Sequence, residues 1–128
     1  MTNSFPKSQR LCGKTTIDAV VNSGLSISHT PFRCQYKLLS IPLEAPVQIA
    51  FAVPKRNKPR AVDRNKIKRR MREAYRKNKQ ELLAHCTTHN QQLGLLWIYT
   101  AKEILDYATI EIKTKELLAK VLNAVSHA

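Results

Sequence analysis

Glycine is scarce, with three in 128 residues and no two clustered. That excludes a glycine-rich loop built to cradle the phosphates of a nucleotide. Cysteine is equally rare: Cys12, Cys34 and Cys86 make an odd number without paired spacing. Such a set fits reduced, mostly buried thiols in a cytoplasmic protein rather than a disulfide framework. No apolar run approaches the roughly 20 residues of a membrane-spanning helix. The N-terminal MTNSFPKSQRLCGK also lacks the apolar centre of a secretory signal. A soluble, cytoplasmic chain with no membrane partner is the expectation. Acidic residues number only nine, and none are paired in the way that protein-borne metal-ion chemistry requires. Ser, His and Asp occur without the spacing of a triad, and there are no internal repeats. Nothing points to a small-molecule substrate or to a catalytic residue on the chain.

What the sequence does have is positive charge, and it is unevenly placed. Lys and Arg total 22, for a net charge of +13 and an isoelectric point near 10.1. Residues 54–80 hold 13 of these cations against only Asp63 and Glu73. The rest of the chain is close to balanced. One element, not the whole surface, is set up to attract a polyanion. The 43% hydrophobic content belongs to a folded protein, and the length suits one domain with a single core. We expect that domain over residues 10–128, behind a polar, flexible arm at 1–9.

Local patterns divide the chain into elements. In KTTIDAVVNSGLS, Thr15 or Thr16 can cap a helix that Gly24 ends, with Ile17, Val20 and Val21 on one face; the expected range is 15–23. TPFRCQYKLLS alternates, placing Phe32, Cys34, Tyr36 and Leu38 on one side and Arg33, Gln35 and Lys37 on the other, as in a half-buried strand. IPLEAP reads as a loop. VQIAFAVP is a second strand, closed by Pro54. A helix capped by Asp63 follows Pro59 and runs to about Ala84. LGLLWIYT is a continuous apolar run suited to a strand buried on both faces, with Trp97 in the core. Asp106 or Thr109 begins a last helix ending near Val125. The order α-β-β-α-β-α predicts an α+β sandwich of a small sheet with helices.

The basic helix has two sides. At 100° per residue, Ile67, Met71, Ala74, Tyr75 and Leu82 form the side that packs on the sheet. Lys68, Arg72, Arg76 and Lys79 lie together on another, with Arg69 adjoining and Asn65 in the middle. Lys66, Arg70 and Lys77 form a second flank. Like charges at i, i+4 repel by a few tenths of a kcal/mol per pair, and only Glu73 is placed to relieve this within the helix body. A solvated helix face usually mixes signs; a stripe of one sign fits phosphate neutralisation. Asn65 adds a group that both donates and accepts, suited to a phosphate–ribose backbone.

The run Ala61-Val62-x-Arg64-Asn65-Lys66-Ile67-Lys68-Arg69-x-x-Arg72-Glu73-Ala74-x-Arg76 resembles the motif of the bacterial ribonuclease P protein family. A strand ending in Lys55-Arg56 precedes it, and Arg10-Leu11 before a helix ending at Gly24 is similar to that family's opening. The resemblance covers roughly residues 9–125. It implies an α-β sandwich with a left-handed βαβ crossover, an exception to the usual hand. It also implies a protein subunit that assists a catalytic RNA in removing the 5′ leader from precursor tRNA, the RNA supplying the catalytic centre and holding Mg²⁺. By motif position, Lys55, Arg56, Arg64, Asn65, Lys66, Lys68, Arg69, Arg72 and Arg76 would meet the ribozyme RNA. A cleft between the first helix and the sheet would receive the leader.

The chain departs from the family pattern in three places. Lys66 stands where the motif has arginine, losing the bidentate fork. Pro54-Lys55-Arg56 replaces a serine-lysine-lysine triplet. The first helix offers Ile17 and Val21 where the family has phenylalanines, so stacking on bases falls to Phe32 or Tyr36, which alternation makes equally available to the core. His85-Cys86-x-x-His89 has ligand-type residues but falls short of the four a structural zinc needs; a polar helix end is the simpler reading. The rival function is a ribosomal-type or DNA-binding basic protein without enzymatic association. A helix-turn-helix would put a short helix before the basic one, and here a strand precedes it.

Overall fold

The apolar run LGLLWIYT lies at the middle of a four-stranded sheet. The computed structural model describes residues 7–11, 14–40, 45–56 and 58–127. After a 3-10 turn at Lys7–Gln9 come α1 (Lys14–Ser23), β1 (Leu25–His29), β2 (Phe32–Leu38), β3 (Val47–Ala52), α2 (Ala61–Asn78), α3 (Gln80–Thr88), β4 (Leu93–Tyr99) and α4 (Tyr107–Ser126). The strand order is β1-β2-β4-β3. β2 is antiparallel to both β1 and β4, while β3 and β4 are parallel neighbours. A parallel pair requires a crossover, and the chain makes it through α2 and α3. The basic helix is therefore part of the connection that the sheet topology demands.

Register assigns each side chain to a face. Phe32 pairs with Tyr99, Cys34 with Trp97, and Ile49 with Leu95. These residues, with Ile67, Met71, Ala74 and Tyr75 of α2 and Ile110, Leu117 and Val121 of α4, form the core. Ring centroids of Phe32 and Tyr75 lie 5.9 and 6.4 Å from that of Trp97. The opposite face carries α1. A Cβ on Gly94 would stand 2.8 Å from Val20 Cγ2, so the missing side chain lets α1 settle against β4. Gly24 serves a similar end: a Cβ there would stand 2.3 Å from the Val20 carbonyl oxygen. Its N–H instead bonds that carbonyl at 3.0 Å, ending α1 as it passes into β1.

Four features differ from the sequence expectation. β1 is an additional strand; Ser26 and Ser28 alternate with Leu25, Ile27 and His29, and the strand is mostly exposed. The alternation is short and its apolar members are largely exposed, so the strand rests on pairing with β2. The long helix is two, parted at Lys79 (φ −81°, ψ −12°). Asn78 Nδ2 donates to the Ala74 carbonyl at 2.8 Å and to Glu111 Oε2 at 3.1 Å; such back-bonding competes with the backbone ladder. α2 begins at Ala61, and its cap position is Arg60, without a side-chain capping bond. Asp63 sits in the first turn, where the helix dipole favours it. Residues 7–9 of the expected arm are tied to the body. Lys79 Nζ donates to Gln9 Oε1, and Gln48 Nε2 donates to the Ser8 carbonyl at 2.9 Å.

The remaining expectations fall as follows. Cys34 and Cys86 are buried free thiols, and burial pushes the Cys86 thiol up to about 11. Asp106 caps α4, its carboxylate accepting from the Thr109 N–H at 2.9 Å. Arm residues 1–6, Cys12, the capping side chains of Thr15 and Thr16, and loop residues 41–44 lie outside the described residues or side chains. No helix among the described residues is long and apolar enough to cross a membrane.

Candidate nucleic-acid interface

The packing of α2 sorts its residues by physical necessity. Ile67, Met71, Ala74 and Tyr75 are buried, which turns Asn65, Lys66, Arg69 and Arg72 outward to solvent. Tyr75 anchors the arrangement, meeting Phe51 of β3 edge-on at 5.9 Å. Its hydroxyl is pushed upward in pKa by burial. α2 packs on β3, the edge strand, through the Tyr75 and Phe51 rings. Lys55 and Arg56 are exposed in the turn between β3 and α2.

The cations of the basic stretch are not equivalent. Among the described residues, no hydrogen bond or ion pair engages Lys66, Lys68, Arg69 or Arg72. Arg76 is held by Glu73 in a two-point contact, with Nε to Oε2 at 3.2 Å. The partner guanidinium lowers the Glu73 carboxyl below its usual range. Arg70 donates to the Leu105 carbonyl, bracing the segment before α4. Lys77 lies 5.6 Å from the Tyr107 ring centroid. Lys79, placed by helical geometry in the exposed stripe, is 1% exposed; desolvation lowers its ammonium's pKa. Its Nζ donates to Gln9 Oε1 of the N-terminal segment. Arg64 directs Nη1 at the Lys58 and Pro59 carbonyls, at 2.9 and 2.7 Å.

At the outer edge of β3, Leu11 N–H bonds the Ile49 carbonyl at 2.8 Å, and Arg10 bridges to Ile49 in parallel register. Arg10, Leu11, Ile49, Ala50, Phe51, Lys68 and Arg72 line a cleft of about 310 Å³. The lining thus combines the cations Arg10, Lys68 and Arg72 with apolar residues of β3 and Leu11. Arg10 belongs to this surface and lies 54 or more residues before the motif's first cation in the helix. Its side of the cleft is set by a backbone bridge that no periodicity signals.

The second expected surface is divided by the sheet. Ile17 is half-buried and Val21 exposed on α1. Phe32, however, is buried among Trp97 and Tyr99, and Tyr36 packs against the same core. Strand alternation puts both on the face away from α1, so these four residues do not form one cleft. The residues of β2 that share the α1 face are Arg33, Gln35 and Lys37. Beside them, Leu96 and Ile98 of β4 are only partly covered.

The His85–Cys86–His89 group is likewise split. Cys86 is buried in the core, while the two imidazoles stack with centroids 4.2 Å apart.

Comparison with known proteins bears on what these surfaces meet. A sequence profile for the family described as Ribonuclease P matches residues 5–122. The ribonuclease P protein component of Chlorobium phaeobacteroides is 40% identical over 87 residues, covering 66% of this chain and 60% of that protein. The ribonuclease P protein component of Porphyromonas gingivalis is 30% identical over 124 residues, covering 97% and 90%. Among solved structures, the RNase P protein from Thermotoga maritima has the same fold, with a TM-score of 0.68 at 22% identity over 87% of this chain and 96% of that one. The Staphylococcus aureus RNase P protein also scores 0.68, at 20% identity, covering 90% and 95%.

Proposed function

The chain belongs to the ribonuclease P protein family, and on that premise we propose that it is the protein subunit that assists a catalytic RNA in removing the 5′ leader from precursor tRNA. The observation that carries the reading is the outward row of unengaged groups on α2. Asn65, Lys66, Lys68, Arg69 and Arg72 lie on the helix that follows the exposed Lys55 and Arg56 in the chain. A cation already paired inside the protein gains less from a phosphate than one that is not. These unengaged residues therefore form the proposed RNA surface, and Arg76 contributes less because Glu73 holds it.

The chemistry proposed for this surface is electrostatic. Two large RNAs repel through their phosphates, and Lys and Arg that displace condensed counterions lower that repulsion. Less Mg²⁺ is then needed to bring substrate and ribozyme together. Among the described residues no group of three or more His, Cys, Asp or Glu is placed to hold a metal ion. The reading assigns Mg²⁺ to the RNA subunit and the substrate, and no step passes through a protein-held ion. The leader is assigned to the partly uncovered sheet face beside α1. Arg33 and Gln35 there address the sugar–phosphate backbone, with Ile17 and Val21 as an apolar wall.

Reconstitution tests the reading. The chain combined with a bacterial ribonuclease P RNA should stimulate precursor-tRNA cleavage at low Mg²⁺, and less so at high Mg²⁺. An absence of stimulation across the Mg²⁺ range refutes it and leaves the non-enzymatic RNA- or DNA-binding alternative.

A further inference from the structure

Arg64 opens the basic motif, yet its geometry is that of a strut. One guanidinium nitrogen, Nη1, donates to two successive carbonyls, those of Lys58 at 2.9 Å and Pro59 at 2.7 Å. Both carbonyls precede α2, whose cap position has no side-chain capping bond. Lys58 is 7% exposed, and its N–H bonds the Pro54 carbonyl at 3.2 Å. The segment from Pro54 to Lys58 is therefore closed at its base, and Arg64 holds that base against the first turns of the helix. Lys55 and Arg56 lie within the closed segment and are exposed.

We infer that Arg64 is a positioning residue that serves the RNA surface by fixing the Lys55–Arg56 turn beside α2. The inference rests on the RNA-binding reading above. Its physical basis is the rigid, planar guanidinium, whose Nη1 carries two N–H groups in fixed directions and so meets both carbonyls at once. A lysine at the same place keeps the charge but presents a point donor on a flexible stem. With the strut gone, the turn samples orientations in which Lys55 and Arg56 no longer meet phosphate together.

This separates Arg64 from a direct phosphate contact. If Arg64 touched phosphate itself, Arg64→Lys would keep the charge and the salt dependence. If it acts through the turn, Arg64→Lys costs phosphate contacts that other residues make. Binding to the ribonuclease P RNA would be measured from 50 to 200 mM salt for wild type, Arg64→Lys, Lys55→Ala/Arg56→Ala and the triple variant. Each lost phosphate contact lowers the salt slope by about 1. Arg64→Lys should lower the slope by about 2, as the double alanine variant does. The affinity lost across that fourfold salt range then shrinks about 16-fold relative to wild type.

In the Lys55→Ala/Arg56→Ala background, Arg64→Lys should add nothing, because the groups it positions are gone. Amide exchange of Lys58, measured by NMR on the free protein, should quicken in Arg64→Lys while the Val47–Ala52 amides do not change. A wild-type slope for Arg64→Lys, or an undiminished effect in the double-alanine background, overturns the inference. Failure of the wild-type protein to bind the RNA overturns the underlying reading instead, and the Lys58 exchange result then stands apart from it.

Discussion

Replacing Gly94 by alanine should loosen α1 from the sheet, and the size of the effect can be worked from the contact. A Cβ at this position would lie 2.8 Å from Val20 Cγ2 and 3.3 Å from Leu39 Cδ1. Val20 is fully buried, and a β-branched side chain has little freedom to rotate away. Inserting one methyl into such a contact costs about 1–3 kcal/mol. For a domain of this size each kcal/mol lowers the melting temperature by roughly 4 °C, so Gly94→Ala should lower it by about 4–12 °C.

Val20→Ala removes the obstructing methyls and should by itself cost about 2 kcal/mol in lost burial and cavity. In that background the new Cβ occupies space already vacated. Gly94→Ala then becomes neutral, or stabilising by about 0.5 kcal/mol through the less flexible unfolded chain. Urea denaturation followed by circular dichroism, run on all four members of the cycle, measures the coupling. An equal Gly94→Ala penalty in both backgrounds refutes the argument that close approach of α1 is what requires glycine. Since α1 forms one wall of the proposed leader surface, Gly94→Ala should also weaken the leader-dependent part of precursor-tRNA binding, even where the protein remains folded.

Other expectations follow from the geometry. Lys68→Ala and Arg72→Ala should each reduce the salt slope of RNA binding by about 1, while Lys113→Ala, already beside Glu116 at 3.5 Å, should leave it unchanged; equal effects would mean that bulk charge alone is at work. Phe32→Ala should destabilise the fold by about 3–5 kcal/mol, whereas Arg33→Ala should leave the melting temperature nearly unchanged and weaken leader-dependent binding. The reverse pattern would invalidate the assignment of sheet faces. Asp106 has its carboxyl lowered chiefly by the bond to Thr109, so its contribution is full above the unfolded value of about 3.9 and fades as pH falls through the lower folded one. Asp106→Asn keeps a competent cap without titrating, and the acid limb of a stability–pH profile should flatten; an unchanged limb would show that the cap does not contribute to it.

Much of the candidate interface was legible because helix periodicity and composition are local. Ile67, Met71, Ala74 and Tyr75 had to face the core together, and this alone turned Asn65, Arg69 and Arg72 outward. The same reasoning failed at Lys79. Its place in the stripe took no account of Gln9, 70 residues away, whose side chain accepts from Lys79 Nζ. Arg64 and Arg76 read as equivalent cations in the motif. One is bonded to backbone carbonyls and the other to Glu73, and only the second contact lies within helical reach of a visible partner. The leader surface failed for a different reason. Alternation correctly grouped Phe32 with Tyr36, but it cannot say which of a strand's two faces the first helix covers.

From the sequence alone follow the basic helix with its core-facing side, the strand–helix order around it, and the family, since each depends on spacing within short runs. The tertiary structure decided what depends on distant segments meeting. It paired β1, whose stability comes from a neighbour rather than from its own apolar content. It brought Arg10 to the same cleft as Lys68 and Arg72 through a bridge to Ile49. It put Arg33 and Gln35, rather than Phe32 and Tyr36, on the face shared with α1. Charge placement along a helix is a local property, but which charges stay unengaged is set by the partners that folding delivers.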